Sequence, residues 1–331
     1  MEPDDRARHL LLLAAILLCG FFRIASTGTV NADEPTPAVS VDHLYARMVR
    51  VHSDLETIAT FMGRTPHESP AFVVRNVGPR EVYFQSLVLL RFTNRFAFDH
   101  TRKLCPPVDT SAESDDYAEI DRLIGETLQR LSSIRELYGI AGATLNSTEA
   151  SGVTPVELFE SVVLANRKLN ALLDVPIAPG DVFEQVTVGI GYTSRILEQS
   201  AVGQVMPSPP NFEPNKKPAD VYARLLGCLR TIQRIAEKSG LEILELDSSD
   251  RGFNNVQPGD VLNLASLVVS EIAYLHSQLP NALPPREVYS TGRKFPAHVY
   301  QRVGILERQL QRLDEVVNAD PHWLSAGSSD K

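Results

Sequence analysis

Carboxylates and imidazoles are the side chains that move protons and hold metal ions. In this chain they recur at one place in a repeated pattern: His43, Glu81, Glu119, Glu157, Asp181, Asp220, Asp260 and His298. Paired acids of this kind could act as general acid and base. Their immediate neighbours assign them another duty. "VGPREV" at 77–82, "VTPVEL" at 153–158, "IAPGDV" at 177–182 and "VQPGDV" at 256–261 each set an acid two residues after a proline and just before an apolar run. Proline is favoured at the first helical position, where its missing N–H would be unpaired anyway. An acid at the third position faces the free N–H groups and the positive end of the helix dipole. The pattern reads as a helix start, and "TPVE" at 154–157 is a full capping box.

Other chemistry is not spelled out. There is no Glu-x-x-His pair of the kind found in carboxylate-bridged bundle metal sites, no Cys-x-x-Cys-His, and no close cysteine pair. "GIGYTS" at 189–194 looks like a phosphate loop only until its context is read, because it falls inside a helical pattern and follows no strand. There, glycine serves close helix packing. No G-x-S-x-G elbow is present. The sequence therefore nominates no catalytic, cofactor-binding or metal-ligating residue, and an enzyme is the less favoured class.

The elements behind the acids are helices with a narrow seam. From the fourth helical position, apolar residues return at alternating steps of four and three. Leu44, Met48, Val51, Leu55 and Ile58 form the first seam, and Val299, Val303, Leu306, Leu310 and Leu313 the last. Successive third-position residues are separated by 38, 38, 38, 24, 39, 40 and 38. A near-constant step broken once is the sign of an internal repeat. The expected fold is all-α, with about eight seam-packed helices in a repeat-like array or two adjoining bundles spanning residues 33–320. The stretch 79–98 has little polar face, which points to a central helix or, alternatively, a partner-binding one. The short step predicts an antiparallel hairpin of the fourth and fifth helices. The "PAFVVRN" and "LEILELD" stretches read as short ordered pieces against the helices. Glycine- and proline-rich stretches at 139–152 and 199–217, the second running into "VMPSPPNFEPNKKP" at 205–218, are candidate divisions, and 321–331 is a polar tail.

The first 32 residues read as a signal peptide: "LLLLAAILLCGFF" at 10–22 is short for a membrane span, and "VNA" at 30–32 places cleavage after Ala32. An uncleaved anchor is the alternative, and the one way in which this chain would engage a membrane. Processing would leave Cys105 and Cys228, which export allows to form one disulfide; Cys228 reads equally well as a small core residue. "NST" at Asn146 is a glycosylation acceptor sequence. The charge balance, 32 basic against 41 acidic residues and −9 net, argues against nucleic acid and anionic membrane as principal partners. The functional expectation is an exported, periplasmic or extracellular module that binds another extracytoplasmic protein. The alternatives are a small-molecule or enzymatic site buried between helices and a membrane-anchored accessory subunit.

Overall fold

The structure is a computed structural model, and it describes residues 39–64, 73–106, 116–141, 151–200, 205–247, 256–280, 283–285 and 291–324. The signal segment with Ala32, Asn146 and residues 325–331 of the tail lie outside the described residues. Ala38–Lys331 forms one compact unit. The described residues are all-α apart from one small strand pair. They contain eight helices: α1 (Val41–Phe61), α2 (Pro79–Thr101), α3 (Tyr117–Tyr138), α4 (Pro155–Leu172), α5 (Pro179–Glu198), α6 (Pro218–Lys238), α7 (Pro258–Ser277) and α8 (Pro296–Ala319). The strands β1 (Val73–Arg75) and β2 (Glu245–Asp247) pair antiparallel, with Val74 opposite Leu246. They are the "PAFVVRN" and "LEILELD" pieces.

Every helix begins where the capping pattern puts it. The third-position carboxylate takes the N–H of the cap residue in α2 (Glu81 to Gly78, 2.7 Å), α5 (Asp181 to Ala178, 2.7 Å), α6 (Asp220 to Lys217, 2.7 Å) and α7 (Asp260 to Gln257, 3.1 Å). Thr154 and Glu157 close the reciprocal box of α4, at 3.3 and 2.8 Å. In α8, His298 Nδ1 accepts from Phe295 N–H at 3.2 Å. In α1 and α3 the cap side chains Ser40 and Asp116 accept instead.

The helices pack as two four-helix bundles. In the first, α1 and α2 each pack on both α3 and α4; in the second, α5 and α6 each pack on both α7 and α8. The helices of the first bundle all run the same way. Arg47 pairs with Asp121 and Asp54 with Arg135, so residue numbers rise together along α1 and α3. Asp42 meets the Val153 N–H, His52 meets Ser161 and Glu56 meets Lys168, giving the same sense to α1 and α4. Asn94–Arg130 and His100–Tyr138 align α2 with α3, and Gln85–Asn166 followed by Arg95–Val175 aligns α2 with α4. In the second bundle, Thr187–Arg302 and Ser194–Gln309 align α5 with α8, and Arg224–Glu307 and Arg234–Asp314 align α6 with α8.

Parallel neighbours explain the 38-residue step. A helix of about 20 residues rises about 30 Å, and the chain must return that distance before starting the next. An extended chain covers it in roughly ten residues at about 3.3 Å each. The connections of 15 to 19 residues, such as 102–116 and 199–217, are therefore return segments. The stretch 205–218 is one of them rather than an open linker. It lies antiparallel along α8, where the carbonyls of Val205, Ser208 and Pro210 accept from Gln309, Arg308 and Gln301. Its prolines have no N–H to leave unpaired there.

The single short step, 173–178, has no return, so the chain direction reverses. It is here that one bundle gives way to the other, not at 139–152 or 199–217. The expected hairpin is not formed, because α4 and α5 make at most a marginal contact. The bundles join instead through α2 and α7, with α4 alongside α7. These central helices run in opposite directions: Arg80 reaches Glu271 and Tyr274, whereas Gln85 reaches the Asn263 carbonyl. The apolar stretch 79–98 is thus central, as its missing polar face implied. Every residue of α7 from Val261 to Ala273 is buried.

Candidate functional site

Parallel packing gathers four positive helix ends at one end of each bundle and four negative ends at the other. The repeated acid answers the first problem. Arginines answer the second in the first bundle, where Arg64 donates to the Leu172 carbonyl that ends α4 and Arg95 donates to Val175. Because the bundles run oppositely, some cap acids face arginines across the junction. Arg95 lies 3.7 Å from Asp181, and Arg167 lies 3.3 Å from Asp260 with its side chain 9% exposed.

One cap acid goes further. Glu81 is fully buried, and across the junction its carboxyl meets that of Glu271, also fully buried. Arg80 lies between them: its Nε is 2.6 Å from Glu81, its Nη2 is 3.4 Å from Glu271, and its guanidinium stacks 3.8 Å over the Tyr274 ring. The Leu244 backbone also bonds to Glu271, and the Glu242 carbonyl accepts from Arg80. Burial, reinforced by the Glu81 charge, pushes the Glu271 carboxyl well above the usual range. A polar ladder continues down the junction. Gln85 donates to the Asn263 carbonyl at 2.9 Å, and Asn166 donates to the Gln85 carbonyl at 3.1 Å. This cluster is not legible from the sequence around Glu81, which looks like every other cap acid. The available signal was Glu271, a lone charge inside an otherwise apolar helix.

The remaining sequence-marked residues disperse. Gly189 packs under α7 and α8: a Cβ there would sit 3.3 Å from Val269 and 3.6 Å from Leu306. Cys228 is buried on α6 and Cys105 is half-buried beyond α2, its thiol 3.9 Å from the Asn94 carbonyl. Both are free thiols, so the bond allowed by their count is not formed in this structure. They sit in different bundles, and Cys228 fills a seam position. His43 pairs with Asp121 at 3.2 Å.

Among the described residues, two surface features bear on binding. The first is a groove of about 530 Å³ between the ends of α1 and α3, lined by residues including Thr57, Phe61 and Tyr138. The second lies at the start of α8, where His298 sits between the rings of Phe212 and Phe295, at 5.2 and 5.7 Å. Each phenylalanine is 49% exposed. Arg293 lies over Phe295; elsewhere, Lys294 and Arg302 lie over Phe183, and Lys216 lies over Tyr300 and pairs with Glu213 at 2.7 Å. The segments 205–218 and 291–302 carry five cations (Lys216, Lys217, Arg293, Lys294, Arg302) and one acid, Glu213. No described helix is long and apolar enough to cross a membrane. Comparison with protein-family models, curated proteins and solved structures finds no match to this chain.

Proposed function

We propose that this chain is an exported helical-repeat module that binds another extracytoplasmic protein through the aromatic and cationic start of α8. The observation that carries the reading is the exposed Phe212–His298–Phe295 stack with Arg293 over Phe295, on a chain whose net charge is −9. Exposed aromatic rings on a rigid frame supply contact area at low entropic cost. A local excess of positive charge on an acidic protein selects an acidic face on the partner. The same pairing scheme in both bundles supports a four-helix unit used twice, and the apolar 10–22 run with "VNA" supports removal of residues 1–32. The enzymatic alternative would draw on Glu81 and Glu271, but their burial leaves a substrate no approach.

A photo-crosslinking amino acid placed at Phe212 or Phe295 in the exported protein tests the docking surface. A discrete acidic-protein adduct is expected from these positions and not from Leu164, exposed on α4. Lys217→Glu with Lys294→Glu should abolish it. Equal labelling from all three positions, or none, refutes the assignment. Intact mass of the exported chain tests processing, and retention of residues 1–32 would favour the anchored form.

A further inference from the structure

Among the described residues, the Arg80–Glu81–Glu271 cluster has an uneven charge balance. Two ionised carboxylates and one guanidinium sum to −1, at a place where both carboxyl groups are fully buried. Among the described residues, the charged groups acting on Glu271 are Glu81 and Arg80, both from α2. The preceding segment offers it the Leu244 backbone bond, and its own helix offers Ser270 Oγ at 3.5 Å. Tyr117 of α3 faces Glu81 and adds no positive charge. Burying an uncompensated charge is costly, so such a group takes up a proton instead. With one proton between the two carboxyls the cluster is neutral, and the protonated carboxyl can donate to the ionised one.

We propose that Glu81 and Glu271 form a proton-binding site that locks the two bundles together. The proton comes from water as α2 and α7 close, and returns to water when the junction opens. Glu81 already accepts from the Gly78 N–H at 2.7 Å and lies 2.6 Å from the Arg80 Nε in an ion pair, so the proton is assigned to its partner. Glu271 holds the proton. The pair lies at the main contact between bundles, so its ionisation acts on that contact before it acts on either bundle.

The sign of the pH dependence follows from linkage. An acid whose folded pKa lies above its unfolded value binds more protons in the folded state between those two values. Stability from this site is therefore complete at or below the ordinary glutamate range and falls as pH rises through the window above it. One proton corresponds to about a tenfold change in the unfolding constant per pH unit.

The test is infrared spectroscopy of the full chain in heavy water, combined with denaturant unfolding across pH. A neutral-carboxyl band should be present at neutral pH and absent in Glu271→Gln, and the wild type should lose about tenfold per pH unit relative to that variant on the alkaline side. Glu271→Gln preserves the neutral shape and should fold. If it does not, Glu81→Gln and the wild-type band titrated alone still decide the matter. Absence of any neutral-carboxyl band in the wild type at neutral pH overturns the proposal, as does a band and pH slope unchanged in either variant.

Discussion

Asp260→Ala and Asp220→Ala remove the same residue type from the same position of the same motif, yet they should differ several-fold in cost. Asp220 is exposed and takes one backbone N–H, that of Lys217 at 2.7 Å. Its loss should cost about 0.5–1 kcal/mol, the usual size of a cap and dipole contribution. Asp260 takes the Gln257 N–H and also the guanidinium of Arg167, with Nε and Nη2 both 3.3 Å from Oδ1. That pair is mostly out of solvent, at 9% and 16% side-chain exposure, so screening removes little of it. A hydrogen bond to a charged group contributes about 1.5–3 kcal/mol, which brings the expected cost of Asp260→Ala to about 2–4 kcal/mol. Urea unfolding of both variants measures the difference, and Arg167→Met alone and combined with Asp260→Ala isolates the pair. Equal costs for the two alanine variants, or additive behaviour in the cycle, would refute the assignment of Asp260 to the bundle junction.

Leu306 is fully buried against Gly189 in the second bundle, and Leu306→Ala should cost about 2–5 kcal/mol by leaving a cavity, as denaturant unfolding will show. Burial, aided by Lys168, holds His52 at about 4, so protonation opposes folding: stability is complete above pH 6.5 and declines by about 3 kcal/mol as pH falls to 4. His52→Gln should flatten that part of the pH–stability curve relative to wild type. Titration of the denatured, unreduced protein after residues 1–32 are removed should find two free thiols; in the native protein Cys105 should react first, since burial raises the Cys228 thiol far above its ordinary range. A missing pair of thiols would restore the disulfide.

What could be read in advance was whatever is local. A cap is decided by four or five consecutive residues, so all eight helix starts are legible from Ser40 to Phe295. The seam is nearly as local, and Leu44, Met48, Val51, Leu55 and Ile58 are all buried. The 38-residue step was visible too, but its meaning was geometric: only the length of a return segment distinguishes a parallel neighbour from a hairpin. The step of 24 therefore reads as a packed pair in the sequence, whereas in the fold it marks the reversal between bundles. The Glu81–Glu271 pair spans 190 residues, and nothing near Glu81 separates it from Asp181 or Asp220. Proline- and glycine-rich returns resemble domain linkers because both need extended, unpaired backbone.

The parallel arrangement also governs how the chain reaches its fold. Helical bundles usually fold fast because consecutive helices meet as hairpins and most contacts are near in sequence. Here even the consecutive pair α2 and α3 meets at separations of 36 and 38 residues, and α1 meets α4 at 109 to 112. The closure entropy of each return must be met before any seam is rewarded. Its helices therefore meet at larger sequence separations than those of a hairpin bundle. During synthesis α1 waits for α4 before its second neighbour exists, with its apolar seam uncovered meanwhile. An apolar seam left uncovered for that long is the kind of surface that promotes aggregation before folding is complete.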